Sequence, residues 1–279
     1  MTILILCTGN SARSQMAEGL LKSMDPSLDV RSAGTQPALR VHPAAIEAMG
    51  EIGIDISTNR PKHVDTTSPV DFLITVCDHA HETCPVFSGP VRYRLQIGFP
   101  DPAAVLGTDT EVLEAFRVVR AAIKGRFEIL RHNTLSAVLQ PATAADLEPA
   151  SALLTECDLP LDGLTDQFGG NYVLARNANS LSAMAGIEVY GPNGLLRSVA
   201  VAPAMRDSHL GSLVVQDRFH WAKMQNLDSV YLLTTTAAPY FARHGFEAVA
   251  RDEAPAGIRS SPEFAHACPA SATFMRRRM

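Results

Sequence analysis

The chain opens on an apolar run, residues 2–6, that stops at a Gly/Asn/Ser cluster, the pattern of a short strand buried on both faces. Residues 14–24 predict a helix, 29–33 a second strand, and 42–51 a second helix with Pro43 near its start, where its missing N–H costs nothing. Phe72 to Val76 is another short apolar run. From Thr110 to Arg131, Val112, Leu113, Phe116, Val119, Ala122, Ile123, Phe127 and Leu130 recur at helical spacing with charges between them. Strands alternating with helices predict an α/β unit, a parallel sheet flanked by helices.

After His132 and Asn133 the pattern restarts, so the join is expected at residues 132–135, with one domain over 1–132 and another over 136–279. The second part begins with a strand-like Ser136 to Leu139. Pro141 and Thr143 lead into a helix through Ala152, and strands follow around Tyr172 to Ala175 and Ser182 to Tyr190. A Pro/Asn/Gly turn at 191–194 precedes a strand at Leu195 to Val201. Helix, hairpin and helix in succession predict an α+β domain; no internal repeat or low-complexity segment interrupts it.

A length of 279 residues agrees with two domains. Hydrophobic residues at 46% and charged residues at 19% supply enough apolar surface for folded cores and argue against extensive disorder. The opening Met-Thr-Ile-Leu-Ile-Leu-Cys is too short to span a bilayer and runs into Gly9, Asn10 and Arg13 instead of a cleavage region, so a cytoplasmic protein that does not enter a membrane is expected. A net charge of -5 gives no footprint for nucleic acid, and Arg276, Arg277 and Arg278 are too few to make one.

Five cysteines without a secretory context predict redox or nucleophilic chemistry and no disulfide framework. Cys157 and Cys268 stand isolated and are expected to be packing residues. Cys7, Thr8, Gly9, Asn10, Ser11, Ala12, Arg13 and Ser14 lie where a buried strand gives way to a helix, so successive backbone N–H groups can converge on an anion. The same amides and Arg13 favour the thiolate of Cys7, while Gly9 and Asn10 tolerate the positive φ of a curled loop. Arg13 can grip two oxyanion oxygens with its planar fork, and Ser14 can bond the sulfur.

Cys77-Asp-His-Ala-His-Glu-Thr-Cys84 directly follows a predicted strand, and strand ends are where parallel sheets build sites. Were the segment helical, seven steps of about 1.5 Å would separate Cys77 from Cys84 by roughly 10 Å, beyond the roughly 7 Å Cα limit of a disulfide, so pairing requires it to unwind. His79 and His81 raise the thought of a metal, but no second Cys/His pair of zinc-type spacing accompanies them, and no metal is expected to be required. Asp101, in Phe99-Pro-Asp-Pro-Ala103, is presented by a loop that two prolines stiffen and can act as a general acid.

At these residues the sequence resembles the thioredoxin-coupled arsenate reductases, which share the fold of low-molecular-weight protein tyrosine phosphatases. The resemblance covers about residues 1–132 and extends to Ser32-Ala-Gly-Thr35 and Lys62-His-Val-Asp65. It implies that Cys7 attacks arsenate held by Arg13 and the loop amides, that Asp101 protonates the departing oxygen, and that Cys77 and then Cys84 carry the oxidation outward to thioredoxin. It also suggests a potassium ion beside the loop, with Asn10, Glu18, Ser32 and Asp65 as counterparts of its ligands. Phosphatase activity is the rival reading, since the cradle alone cannot separate phosphate from arsenate. Phosphotyrosine phosphatases of this fold usually carry an aromatic ring where this chain has Ala103.

Leu195 to Pro203, followed by Arg206-Asp-Ser-His-Leu-Gly-Ser212 and an apolar helix, resembles motif A of the GNAT acetyltransferases, and similarity extends over about residues 136–279. The resemblance implies a strand, including Val199 and Val201, that splays to pair with pantetheine amides of acetyl-CoA, and a loop (Arg206, Ser208, His209, Gly211, Ser212) that binds its pyrophosphate. Leu232 to Thr236, Tyr240 to Phe246 and Ser271 to Arg277 match later elements of that fold. Two positions depart from the family: His209 replaces the first glycine of the loop, and Phe241 replaces a tyrosine that protonates the leaving thiolate, with Tyr240 beside it expected to point elsewhere. The pattern looks like the arsenic-operon branch of the superfamily, in which Glu188 is the candidate base. The small-molecule acetyl acceptor cannot be read from the sequence.

Overall fold

The computed structural model describes residues 1–77 and 87–279, and these fall into two compact units, Met1–His132 and Asn133–Met279. The first unit runs β1 (Thr2–Cys7), α1 (Arg13–Met24), β2 (Asp29–Gly34), α2 (Pro43–Gly50), β3 (Val70–Thr75), β4 (Val91–Gln96) and α3 (Asp109–Ile129). Among the described residues its strands form one parallel sheet in the order β2-β1-β3-β4. The opening run is apolar throughout because β1 is interior: Leu4 and Leu6 pack with Ala33, Leu73 and Phe87 on one face, and Ile3 and Ile5, pointing the other way, are fully buried. A capping box between Thr108 and Glu111 starts α3, whose Phe116, Ile123 and Phe127 are fully buried. The chain leaves β1 for β2 on one side and returns to β3 on the other, so a topological switch point lies at the carboxyl ends of β1 and β3, where Cys7 and Cys77 stand.

β4 is an element the hydrophobic pattern did not announce. Its Val-Arg-Tyr-Arg-Leu-Gln sequence buries Tyr93 and Leu95 but leaves Arg92 and Arg94 outward, as suits the edge of a sheet. Charges at alternate positions interrupted the apolar run that identified the interior strands.

The second unit contains β5 (Val138–Pro141), α4 (Leu147–Glu156), β6 (Tyr172–Asn177), β7 (Ser180–Tyr190), β8 (Asn193–Val201), α5 (Leu210–Met224), β9 (Ser229–Thr234), α6 (Ala238–Arg243), β10 (Glu247–Ala248), α7 (Ala256–Arg259) and β11 (Thr273–Arg278). Its sheet has the order β10-β11-β9-β8-β7-β6-β5 and is antiparallel except between β8 and β9. The first helix starts later than expected: Thr143 and Asp146 cap a single tight turn over 144–146, and α4 begins at Leu147 so that Pro149 falls in its first turn, where no N–H is needed. Leu153, Leu154 and Leu164 pack against Tyr172, Leu174, Met184 and Ala200.

The β8–β9 pairing positions the chemistry. Its register joins only Asn193–Leu195 to Ser229–Tyr231, although β8 continues to Val201 and β9 to Thr234. Beyond Leu195 the two parallel strands separate, and among the described residues the backbone edge of β8 that faces β9 has no strand partner. Among the described residues no helix is long and apolar enough to cross a membrane.

Candidate functional site

Cys7 ends β1 almost fully buried, and residues 8–12 curl around its sulfur. The Asn10 N–H donates to Sγ at 3.1 Å, and Ser14 Oγ lies 2.9 Å from it. Asn10 takes the curl's left-handed conformation, φ 46. The carbonyls of Thr8, Gly9 and Ser11 are turned outward, where they accept from the N–H groups of Gln36, Ala38 and His42. With its acceptors satisfied from behind, the loop has its amides free to face the sulfur and an anion above it. Gly34 makes this approach possible: a Cβ there would lie 2.5 Å from the Thr8 carbonyl oxygen and 3.0 Å from the Asn10 nitrogen. Gly34→Ala is therefore expected to distort the cradle and weaken its hold on a tetrahedral oxyanion, read by calorimetry as a loss of inorganic phosphate binding of about tenfold, the span of one charge-assisted hydrogen bond.

Arg13 begins α1 with its guanidinium buried; Nη1 donates to the Phe99 carbonyl at 3.1 Å and Nη2 lies 3.3 Å from Asp101 Oδ2. The other oxygen of Asp101 accepts from Ala103 N–H at 3.2 Å, which closes the short turn that the two prolines frame. The structure thus brings the expected oxyanion ligand and the expected acid to one mouth. Cys77, two residues past β3, is fully buried, with Sγ 3.9 Å from Thr8 Oγ1 in the cradle. Burial first, and the sulfur of Cys7 second, push its thiol up to about 11, so it rests protonated beside Cys7. Cys84, His79 and His81 lie outside the described residues. Among the described residues no group of three or more His, Cys, Asp and Glu side chains is arranged to hold a metal ion.

Asn10 is the hub behind the cradle. Its Nδ2 donates to Ser14 Oγ at 2.9 Å and Ser32 Oγ at 2.8 Å, and its Oδ1 accepts from Lys62 N–H and Gln15 Nε2. Ser32 in turn donates to the buried carboxylate of Glu18. Three of the four residues suggested as cation ligands therefore do meet. Asp65 does not join them: it is exposed and accepts from Thr67 and Ser68 in its own turn. The cations on Glu18 here are ammonium groups, Lys22 Nζ at 2.6 Å and Lys62 Nζ at 3.6 Å.

In the second unit, Val199 and Val201 lie on the stretch of β8 beyond its pairing with β9, and the loop through Arg206 and Ser208 delivers the chain to the start of α5. His209, at the position expected from the resemblance to be glycine, adopts φ 71 as the residue before α5; the position calls for a left-handed residue, and histidine fills it. Ser208 is fixed by Thr134, whose hydroxyl donates to its carbonyl, and by its own hydroxyl, which donates to Met205 O. The first-turn N–H groups of α5, Gly211 and Ser212 included, open this loop toward an anion. Phe241 is buried against Phe246. Tyr240, expected to point elsewhere, directs its hydroxyl at Gly211 and Ser212.

Glu188 requires a correction. Its side chain is enclosed, not surface-facing: Oε1 accepts from Arg197 Nη1 at 2.6 Å and Oε2 from Tyr190 at 2.8 Å. Arg197 also reaches the Asp162 carbonyl at 2.6 Å and Glu263 at 3.2 Å. A general base must meet its substrate, and a carboxylate held at both oxygens in the interior is instead an anchor for the surrounding loops. Sequence reasoning passed over Arg197 because a lone charge within an apolar strand shows no partner until the chain is folded, and Glu263 because it lies 66 positions along the chain in a separate helical turn.

Residues 2–133 match the family described as low molecular weight phosphotyrosine protein phosphatase, and residues 135–246 match the acetyltransferase (GNAT) family. An arsenate reductase of Halalkalibacterium halodurans is 44% identical over 129 residues, covering 45% of this chain and 91% of its own. That of Bacillus subtilis is 40% identical over 129 residues with the same coverage. A Mycobacterium tuberculosis protein solved in complex with CoA and NLQ is 20% identical, spanning 51% of this chain and 99% of its own at a TM-score of 0.44.

Proposed function

Because the chain belongs, through its first half, to the arsenate reductases of the low-molecular-weight phosphatase family and carries a GNAT acetyltransferase domain behind it, we propose that it reduces arsenate to arsenite by a three-thiol relay and transfers acetyl groups from acetyl-CoA. Arsenate sits on the amides of residues 8–12 and the Arg13 fork. Cys7 bonds to arsenic as Asp101 protonates the departing oxygen. Cys77 then attacks the Cys7 sulfur: an S–S bond forms, the S–As bond breaks, and its electron pair stays on arsenic, which leaves as arsenite. Cys84 attacks Cys77 and frees Cys7, and thioredoxin returns two electrons to the Cys77–Cys84 disulfide. A cycle fed by thioredoxin belongs in the reducing cytoplasm.

The observation that carries this reading is the second thiol, buried and neutral against Thr8 in the cradle, for which hydrolysis has no use. NADPH consumption with thioredoxin, its reductase and arsenate tests it. Ser in place of Cys7, Cys77 or Cys84 should each stop steady-state turnover, and Cys84→Ser should release about one arsenite per enzyme before stalling. Undiminished turnover in Cys84→Ser would remove the relay. The cradle with Asp101 also supports weak phosphatase activity toward small esters, since exposed Ala103 supplies no ring wall.

For the second unit, the unpaired edge of β8 supports pantetheine pairing and the turn into α5 supports diphosphate binding. Calorimetric titration of the full chain with acetyl-CoA should show saturable binding. Its absence would leave this unit without a carrier and without acetyl transfer.

A further inference from the structure

Asn10 joins the cradle to a buried carboxylate, and two lysines close on that carboxylate from separate elements. The contacts start at the sulfur: the Asn10 N–H donates to Cys7 Sγ at 3.1 Å, its Nδ2 donates to Ser14 and Ser32, and Ser32 donates to Glu18 Oε2. Glu18, on α1, is 4% exposed. Its Oε1 meets Lys22 Nζ, one turn further along the same helix, at 2.6 Å, and Oε2, the oxygen bonded to Ser32, has Lys62 Nζ at 3.6 Å. Lys62 is also held by its backbone: its N–H donates to Asn10 Oδ1 at 2.8 Å and its carbonyl accepts from Gly34 N–H at 2.8 Å. Lys62 thus touches both ends of the Glu18–Ser32–Asn10 chain.

This arrangement leaves a free cation without ligands. The Lys62 N–H can only donate, which fixes the Asn10 amide with Oδ1 toward residue 62 and Nδ2 toward the two hydroxyls. Oδ1 accepts a second time, from Gln15 Nε2 at 3.2 Å, so its lone pairs are engaged. Both Glu18 oxygens face ammonium groups, and Asp65 stands apart in its own turn. A potassium ion beside the loop, as the resemblance suggested, does not fit this donor set. Each lysine side chain is about half exposed, so solvent screens either ion pair taken alone. What counts is the carboxylate, which is buried behind the cradle and would otherwise stand uncompensated.

We propose that Lys62 is a positioning residue of the cradle, acting with Lys22 as a tethered cation that neutralises Glu18 and so holds Asn10 against Cys7. This rests on the cradle's being an oxyanion site, as proposed above. Because the chain supplies the charge, the cradle needs no monovalent ion from solution.

The test is calorimetric titration of the full chain with inorganic phosphate, in potassium chloride and in tetramethylammonium chloride at equal ionic strength. The wild type is expected to bind phosphate equally in the two salts. Lys22→Met combined with Lys62→Met should weaken binding about tenfold in tetramethylammonium, through a loosened loop and the bare negative charge behind it. Adding Glu18→Gln to the methionine pair should restore most of the affinity, since no charge then remains to be matched, and this triple variant carries the comparison if the pair does not fold. Lysines that matter only for packing would not be repaired by Glu18→Gln. Wild-type binding that improves severalfold in potassium, a methionine pair that binds as tightly as wild type, or a triple variant that stays weak each overturns the tethered cation while the cradle stands. A wild-type chain that binds phosphate in neither salt overturns the oxyanion cradle and the role of Lys62 with it.

Discussion

Cys77→Ser is expected to lower arsenate reduction at least about 10³-fold while hydrolysis of p-nitrophenyl phosphate stays within about twofold of wild type, because in the proposed mechanism the two reactions share every group of the cradle except this sulfur. Hydrolysis, so proposed, uses Cys7 as nucleophile, the Arg13 grip and the Asp101 proton, and water completes it. Reduction needs a second sulfur to take Cys7 from arsenic, and a serine hydroxyl cannot do so. Burial and the neighbouring Cys7 sulfur hold the Cys77 thiol at about 11, so the resting enzyme keeps it protonated. In the proposed relay only the thiolate attacks, so the first-turnover rate of arsenite formation in Cys84→Ser should climb with pH between about 6 and 8, approaching tenfold per unit. Rapid quench of that variant measures it. A Cys77→Ser enzyme that still reduces arsenate, or a first turnover flat in pH, would assign the reduction to some other thiol.

The cradle was legible in the sequence because its chemistry is local: residues 7–14 are contiguous, and a strand–loop–helix order needs no tertiary information to orient backbone amides. Asp101 was legible only beside that cradle, since Asp-Pro alone is a turn; its contact with Arg13 spans 88 positions of chain. The edge strand β4 escaped because a one-sided edge alternates arginine with apolar residues. Asn10 was placed in the loop for its tolerance of positive φ, whereas its larger contribution, a side chain bonded to Ser14, Ser32, Lys62 and Gln15, depends on three elements meeting behind the loop. Glu188 was misjudged for the related reason that burial of a charge is decided by its partner. Glu188 and Arg197 are nine residues apart in sequence and on adjacent strands, close to the β7–β8 turn, yet nothing in either strand's pattern says that both side chains turn inward.

Arg197→Met is expected to destabilise the second unit by about 3–5 kcal/mol at neutral pH, the cost of leaving buried carboxylates without their cation. The Arg197 and Glu188 side chains are essentially inaccessible, and Glu263 is nearly so, so solvent cannot replace the lost guanidinium. The sign of the pH dependence identifies the cause. Burial raises the Glu263 pKa above its ordinary value, and the Arg197 guanidinium opposes that rise. Without the guanidinium the folded variant retains protons that the unfolded chain releases, so its stability falls as pH rises through the raised value and recovers as pH drops toward about 5. An apolar cavity effect would be flat over this range. Adding Glu188→Gln and Glu263→Gln to Arg197→Met should restore most of the loss, since the uncompensated charges go with them. The single tryptophan, Trp221, lies on α5, so urea unfolding followed by its fluorescence reports on this unit directly. A deficit that is independent of pH and untouched by the two glutamines would mean that Arg197 matters for its packing and that the buried ion network is incidental to the fold.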